Sequence, residues 1–297
     1  MINRFFKIPL SCLFSCVLFF MLGCGLKVGS LDVGKLASAG AGVITGNKMS
    51  LEEQQAVGQQ MTAIIVGSSK IHPNAKLQKY VNQVGSWVAL HANPEKDKTA
   101  QVQWQFIVID TPDFNAFSMP GGYVVISSGV LDRLSSEAEL AAVLAHEVVH
   151  IEQKHQVKAI EKSSTFSNIG DLAFIAADYR QSQKGGYSQD SLKNRQIAKG
   201  LFNTTHTLYT KGLSREDELD ADQKAVILMT RAGYDPYAYL AVMQLIESID
   251  DKRKTLVLAT HPKPSERIHT AFNALNYVEK NIRSTKTVEN RFLSSLR

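Results

Sequence analysis

The stretch Ala138–Ile151, AELAAVLAHEVVHI, constrains this chain more than any other. From Leu140 to Ile151 every residue is aliphatic or alanine except His146, Glu147 and His150. A helix that is apolar all round belongs in the interior of a domain. Three ionisable groups inside it are costly to bury unless something binds them. His146 and His150 are four residues apart, so their rings leave one helical face, with Cβ atoms roughly 5–6 Å apart, and can hold one ion between them. Glu147 stands about 100° round the axis from His146, beside that pair rather than within it. Ser136, with Glu139 three residues on, marks the start of the helix as a capping box.

The string is H-E-x-x-H, in which two histidines hold zinc and the glutamate deprotonates a water. Two satisfied core histidines are the bland alternative, but they leave Glu147 unexplained and do not account for three polar groups in one apolar helix. A second alternative reads Glu147-Val148-Val149-His150 as half of a di-iron E-x-x-H pair, with Glu266-Arg267-Ile268-His269 as the other half. That reading leaves His146 idle and needs two further glutamates.

The third ligand follows from helical phase. Ser214, with Asp217 three residues on, caps a helix from Arg215 to about Arg231. At about 100° per residue, Ala221, Ala225, Val226, Leu228, Met229 and Ala232 cluster around the direction of Glu218. Glu218 and Asp222 lie at the centre of that apolar arc, whereas Glu216, Asp217, Asp220, Lys224 and Arg231 fall on the opposite face. Two buried carboxylates need cations or donors, and two histidines around zinc need another ligand. Glu218 is therefore assigned to the metal, and Asp222 to the free ring N–H of a ligand histidine, where it fixes the tautomer. Structural ion pairs with Lys or Arg are the alternative. His146, His150 and Glu218 leave one coordination position open, which is the catalytic arrangement of Zn2+ rather than the structural one.

The chain has 297 residues, 44% of them hydrophobic, and a formal charge of +5. Arg4 and Lys7, the apolar run Ile8–Leu22, and Leu22-Gly23 before Cys24 read as a lipoprotein signal peptide over residues 1–23, with Cys24 the lipidated residue. A retained N-terminal anchor is the alternative. Residues 24–49 are expected to form a tether or N-terminal helix, and 50–297 one metallopeptidase domain. Removing residues 1–23 leaves 274 residues with a charge of +3, too mild a balance for nucleic acid. Cys12 and Cys16 lie in the signal, so the mature body has no disulfide and any metal must be held by His and carboxylate.

Elsewhere, helices are expected from the Ser50 cap to about Ile65 and from Asn74 to about His91. Val102–Asp110 has the composition of a strand, and Pro120 places the following strand at a sheet edge or breaks it. Ala116, Phe117, Ser118 and Met119 are the strand onto which an extended substrate would add, an ordinary hairpin being the alternative. Ile151–Ile160 reads as a solvated continuation of the central helix, which makes His155 a surface residue and no ligand. Residues 163–212 read as a hairpin or lid, and no tandem repeat is present. The fold class is α+β, mostly helical, with a small sheet beside the central buried helix.

HEVVH combined with the E-x-x-A-D string Glu218-Leu219-Asp220-Ala221-Asp222 resembles the gluzincin metallopeptidase family of the CAAX prenyl protease and the heat-shock peptidase HtpX. NAFSMPGG, from Asn115, looks like that family's N-A-x-x-x-P-G-G strand, and His261 to Arg267 looks like its H-P-x-x-x-x-R segment. The resemblance runs from about Ser50 to Ala274 and is nearest to the family's bacterial periplasmic lipoproteins. It implies a zincin-like fold, one Zn2+ per chain on His146, His150 and Glu218, and Glu147 as general base. It also implies quality control of unfolded or misassembled envelope proteins on the periplasmic face, with a lipid anchor expected in the outer membrane. For His261 and Arg267 three readings stay open: stabilisation of the oxyanion, occupation of the open metal position by His261, and a structural turn. The rival from another class is a zinc-containing lipoprotein that acts as an assembly or chaperone-like factor for outer-membrane proteins, beside their assembly machinery. Glu147 argues for hydrolysis, since pure binding has no use for that group.

Overall fold

Side-chain caps set the starts of the main helices. The computed structural model describes residues 27–28, 31–32, 49–92, 102–162, 191–249, 257, 259–279 and 288–296. The signal segment, Cys24, most of the tether and residues 163–190 lie outside the described residues. The chain divides after Lys48. In the first unit, β1 (Lys27–Val28) pairs antiparallel with β2 (Leu31–Asp32). The second unit carries everything that follows.

In helix α1 (Leu51–Ser68), Ser50 Oγ accepts from the Glu53 amide and the Glu53 carboxylate accepts from the Ser50 amide, a complete capping box. Helix α2 (Ala75–Leu90) is capped by the Asn74 side chain, which accepts from the amides of Lys76 and Leu77. Strands β3 (Gln105–Ile109), β4 (Ala116–Met119) and β5 (Tyr123–Ser127) form a sheet of order β3-β5-β4, with β5 parallel to β3 and antiparallel to β4. Alternation along the strands divides the core. Phe106, Val108, Val124 and Ile126 join α2 and the central helix, while Ile109, Tyr123 and Val125 pack with α1. Gly121 turns β4 into β5 at φ 79°, and a Cβ there would stand 2.5 Å from Gln55 Cα of α1, so both the turn and the close approach need glycine.

The helices then follow: α3 (Ser128–Leu131), α4 (Glu137–Glu152), α5 (His155–Lys162), α6 (Ser191–Lys211), α7 (Arg215–Arg231), α8 (Tyr237–Ser248), α9 (Pro264–Glu279) and α10 (Glu289–Leu296). Helix α4 is central, packed against α7, α2 and α8, and from Leu140 to Ile151 it is buried at every residue except Val143. At its first turn the fully buried Glu137 accepts hydrogen bonds from Tyr80, Tyr234 and Arg291, tying α2, the turn before α8 and α10 to one point. The mostly helical α+β class is as expected.

Two local expectations are corrected. The central helix does not run on to Ile160. It ends at Gln153, Lys154 takes a left-handed φ of 59°, and α5 starts in a new direction at His155. Residues 191–211 are a 21-residue helix, not a hairpin. The terminal helix α10 is amphipathic and carries the fully buried Phe292.

Candidate metal centre

Helix α4 delivers His146, Glu147 and His150, and α7, packed against it, delivers Glu218 and Asp222; all five side chains are buried. His146 Nε2 and His150 Nε2 are 3.0 Å apart, and Glu218 lies 3.4 Å from each, through Oε2 and Oε1 respectively. Tetrahedral zinc bound at about 2.0–2.1 Å has ligand–ligand edges of about 3.3 Å. The two ring nitrogens and the Glu218 carboxylate, whose two oxygens each face one ring, therefore suit one zinc ion, and two imidazoles with a carboxylate are a donor set that zinc accepts. His261, from the turn before α9, adds a second, overlapping group. Its Nδ1 lies 2.6 Å from Glu218 Oε2, and donor atoms of His146, Glu218 and His261 all fall within 4.8 Å of one another. His150 is the deeper partner, and His261 stands on the outer side of Glu218, lining the cleft.

Opposing effects of burial and neighbouring charge set the titration of the site. Burial alone would raise the Glu218 pKa, but the charges of His261 and His150, with hydrogen bonds from His146 and His150, hold it well below the usual carboxylate range. Burial and Arg267 both press the His146 pKa down, yet its hydrogen bonds to Asp222 and Glu218 outweigh them and push it up to about 9.

Behind His146, its Nδ1 lies 3.2 Å from Asp222 Oδ1 and 3.1 Å from the Tyr239 hydroxyl, which itself donates to Asp222 at 2.6 Å. Asp222 thus meets the ring both directly and through Tyr239. In the apolar run YAYLAVM, Tyr239 has the appearance of an ordinary core residue, and no sequence signal marks it. Arg267, 3% exposed, donates from Nε to both Asp222 oxygens at 3.1 and 3.0 Å and from Nη2 to Oδ1 at 2.6 Å. Burial works against Asp222, but Arg267 and the hydrogen bonds from His146 and Arg267 keep its pKa well below the ordinary value. This corrects the oxyanion reading of Arg267, because its guanidinium is committed to a buried carboxylate. The di-iron alternative also falls: His269 is exposed, and Glu266 pairs at 3.2 Å with an exposed Arg215.

The expectation for His155 is corrected as well. It is 2% exposed, its Nδ1 is 2.9 Å from His150 Nδ1, and burial pushes its pKa down, with the neighbouring His150 adding to the effect. Its Nε2 lies 3.5 Å from Asp217 Oδ1 and 3.4 Å from Asp220 Oδ2, so these two partly exposed acids flank His155, and Asp220 Oδ2 also accepts from Lys224 at 2.8 Å.

Glu147 accepts a hydrogen bond from Ser118 Oγ at 2.7 Å, and Gln156 Nε2 donates to that hydroxyl at 2.7 Å. The Ser118 side chain therefore holds Glu147, while the backbone of β4, Ala116 to Met119, remains an edge strand. The Phe117 ring meets Tyr209 of α6 edge-on at 4.9 Å, and Met119 is buried. A cleft runs over β4, Glu147, His150 and Glu218, walled by Leu208 and Tyr209 of α6. A second, apolar hollow, lined by Phe114, Val143, Met243 and Val257, opens beside Ala116, Glu147 and His261 as well. The two hollows flank Glu147.

The chain is 26% identical over 263 residues to the beta-barrel assembly-enhancing protease of Escherichia coli (strain K12), covering 84% of this chain and 51% of that protein. It is 27% identical over 245 residues to the beta-barrel assembly-enhancing protease of Yersinia pestis, covering 80% and 47%. To the mitochondrial metalloendopeptidase OMA1 of Schizosaccharomyces pombe it is 31% identical over 171 residues, covering 57% and 46%. The chain spans about half the length of these curated relatives. Residues 75–274, which include the sheet, HEVVH, Glu218 and Asp222, match Peptidase family M48, and this chain belongs to that family.

Proposed function

We propose that the chain is a zinc metalloendopeptidase that hydrolyses misfolded or misassembled cell-envelope proteins, anchored by lipid at Cys24 to the periplasmic face of the envelope, in the outer membrane. The observation that carries the peptidase reading is the closure of His146, His150 and Glu218 on one point, with edges of 3.0–3.4 Å, beside a buried Glu147 that lines the cleft. The names of its relatives, beta-barrel assembly-enhancing protease and mitochondrial metalloendopeptidase, support the substrate class and the setting.

In this reading His146, His150 and Glu218 hold one zinc ion, which supplies Lewis acidity worth several kcal/mol to the charge that develops on the substrate. Glu147, oriented by Ser118, takes the proton of the attacking water and returns it to the leaving amine. The substrate backbone adds to the free edge of β4, with its side chains entering the two hollows on either side of Glu147. His261, 2.6 Å from Glu218, stands between the ligands and the cleft. Faster cleavage by His261→Ala would assign it a blocking role, and slower cleavage the stabilisation of the oxyanion.

The test is cleavage of an unfolded protein such as casein by the zinc-loaded full chain, against Glu147→Gln. The wild type is expected to cut, and the variant to keep its zinc while losing about 10²–10⁴-fold in rate. Capture of unfolded protein by the wild type without cleavage would replace this reading with the assembly factor, and equal cutting by both would remove Glu147 from the chemistry.

A further inference from the structure

The Nε2 of His150 serves a metal only if it is bare, and nothing in α4 itself keeps the ring's proton on the other nitrogen. A neutral imidazole carries one proton, on either nitrogen. His150 is 1% exposed, and its Nδ1 faces the Nδ1 of His155 at 2.9 Å, a contact in which one ring must donate and the other accept. The far side of His155 decides which. Its Nε2 lies 3.5 Å from Asp217 Oδ1 and 3.4 Å from Asp220 Oδ2, and a carboxylate only accepts. The His155 proton is therefore drawn to Nε2, and its Nδ1 is left with a lone pair. His150 must then donate from Nδ1, which leaves its Nε2 bare towards His146 Nε2 at 3.0 Å and Glu218 Oε1 at 3.4 Å. Each link fixes the tautomer of the next, from two carboxylates on α7 to the metal-facing atom on α4.

One backbone residue makes this contact possible. In a continuous helix, the fifth residue after His150 would lie about 140° away around the axis. Lys154, with φ 59°, ends α4 and folds His155 back onto His150. The next residue, Gln156, reaches Ser118 and through it Glu147, so one turn serves both the ligand and the base.

We propose that His155 is a positioning residue that fixes the tautomer and orientation of His150 as a zinc ligand, with Asp217 and Asp220 as the far end of the chain. The proposal rests on the reading of His150 as a ligand. It is tested on the full chain by competition with a chelator for Zn2+ and by the absorption spectrum of the Co2+-loaded protein, neither of which depends on cleavage. In His155→Asn the amide oxygen stands where Nδ1 stands and can accept. In His155→Gln the amide reaches the position of Nε2 instead, and His155→Leu fills the space with no acceptor. Zinc affinity is expected to fall about 10–100-fold in His155→Leu, to fall in His155→Gln, and to be largely retained in His155→Asn. The Co2+ bands should shift in the two weakened variants only. If His155→Leu does not fold, the comparison of Asn with Gln decides. Wild-type affinity in His155→Leu, or no advantage of Asn over Gln, overturns the proposal. A wild-type chain that binds neither ion overturns this proposal and the metallopeptidase reading together.

Discussion

Replacing Arg267 by leucine tests whether the pair behind His146 is ionised. Asp222 has no exposed surface, and Arg267 gives it three contacts, at 3.1, 3.0 and 2.6 Å. The substitution leaves that carboxylate with the Tyr239 hydroxyl at 2.6 Å and the His146 ring at 3.2 Å. Breaking a buried pair by removing one partner costs about 3–5 kcal/mol, because the remaining charge is neither solvated nor matched. The assay is urea unfolding of the metal-free full chain, wild type against Arg267→Leu. The pH dependence has a definite sign. Arg267 holds the Asp222 pKa below its unfolded value of about 3.9, so the stability it contributes is present above that pH and is lost as the pH falls through the folded-state value. The variant lacks that contribution, so the gap between the two proteins should be widest near neutrality and narrow on acidification. Replacing both partners, Asp222→Leu with Arg267→Leu, should recover most of the stability, since an apolar pair of similar volume is often as stable as a buried ion pair. The double variant should still bind zinc about 10–100-fold more weakly, because His146 has lost its carboxylate acceptor. A cost below about 1 kcal/mol for Arg267→Leu, or a gap indifferent to pH, would refute the assignment of an ionised pair.

Zinc affinity should rise about tenfold per pH unit as the pH approaches 9 and flatten above it, because the His146 proton, held to a pKa of about 9, must leave before that ring can ligate; chelator competition across that range checks it. The same raised value means that His146 stabilises the metal-free fold fully below its unfolded pKa of about 6.5, and that this contribution disappears as the pH rises through about 9. Ser118→Ala should lower kcat about tenfold or more with zinc affinity unchanged, since it removes one hydrogen bond to a charged group; equal effects on zinc binding and kcat would place Ser118 in the metal site instead.

The grouping of His146, His150 and Glu218 was legible because it rests on helical phase. HEVVH places two rings on one face from spacing alone, and the apolar arc around Glu218 and Asp222 separates the two inward acids from Glu216 on the exposed side. Capping residues likewise announced the starts of α1, α2, α4 and α7, because Ser50, Asn74, Ser136 and Ser214 act on amides two or three residues away. The end of α4 was not legible. A left-handed residue after a helix is usually Gly or Asn, and here it is Lys154, which gives no warning. From that one residue follows the misreading of His155 as exposed and of Asp217 and Asp220 as merely solvated. The polar sequence of α6 similarly concealed a long helix that walls the cleft.

By itself, then, the amino-acid sequence determined which side chains can meet a metal, since residues three and four apart on a helix are neighbours whatever surrounds them. The tertiary structure alone decided what stands behind those side chains: His155 on His150, Tyr239 and the Asp222–Arg267 pair on His146, and Ser118 on Glu147. Those contacts join elements far apart in the chain, or cross a backbone reversal. Their distances are products of packing, and no periodicity in the sequence encodes them.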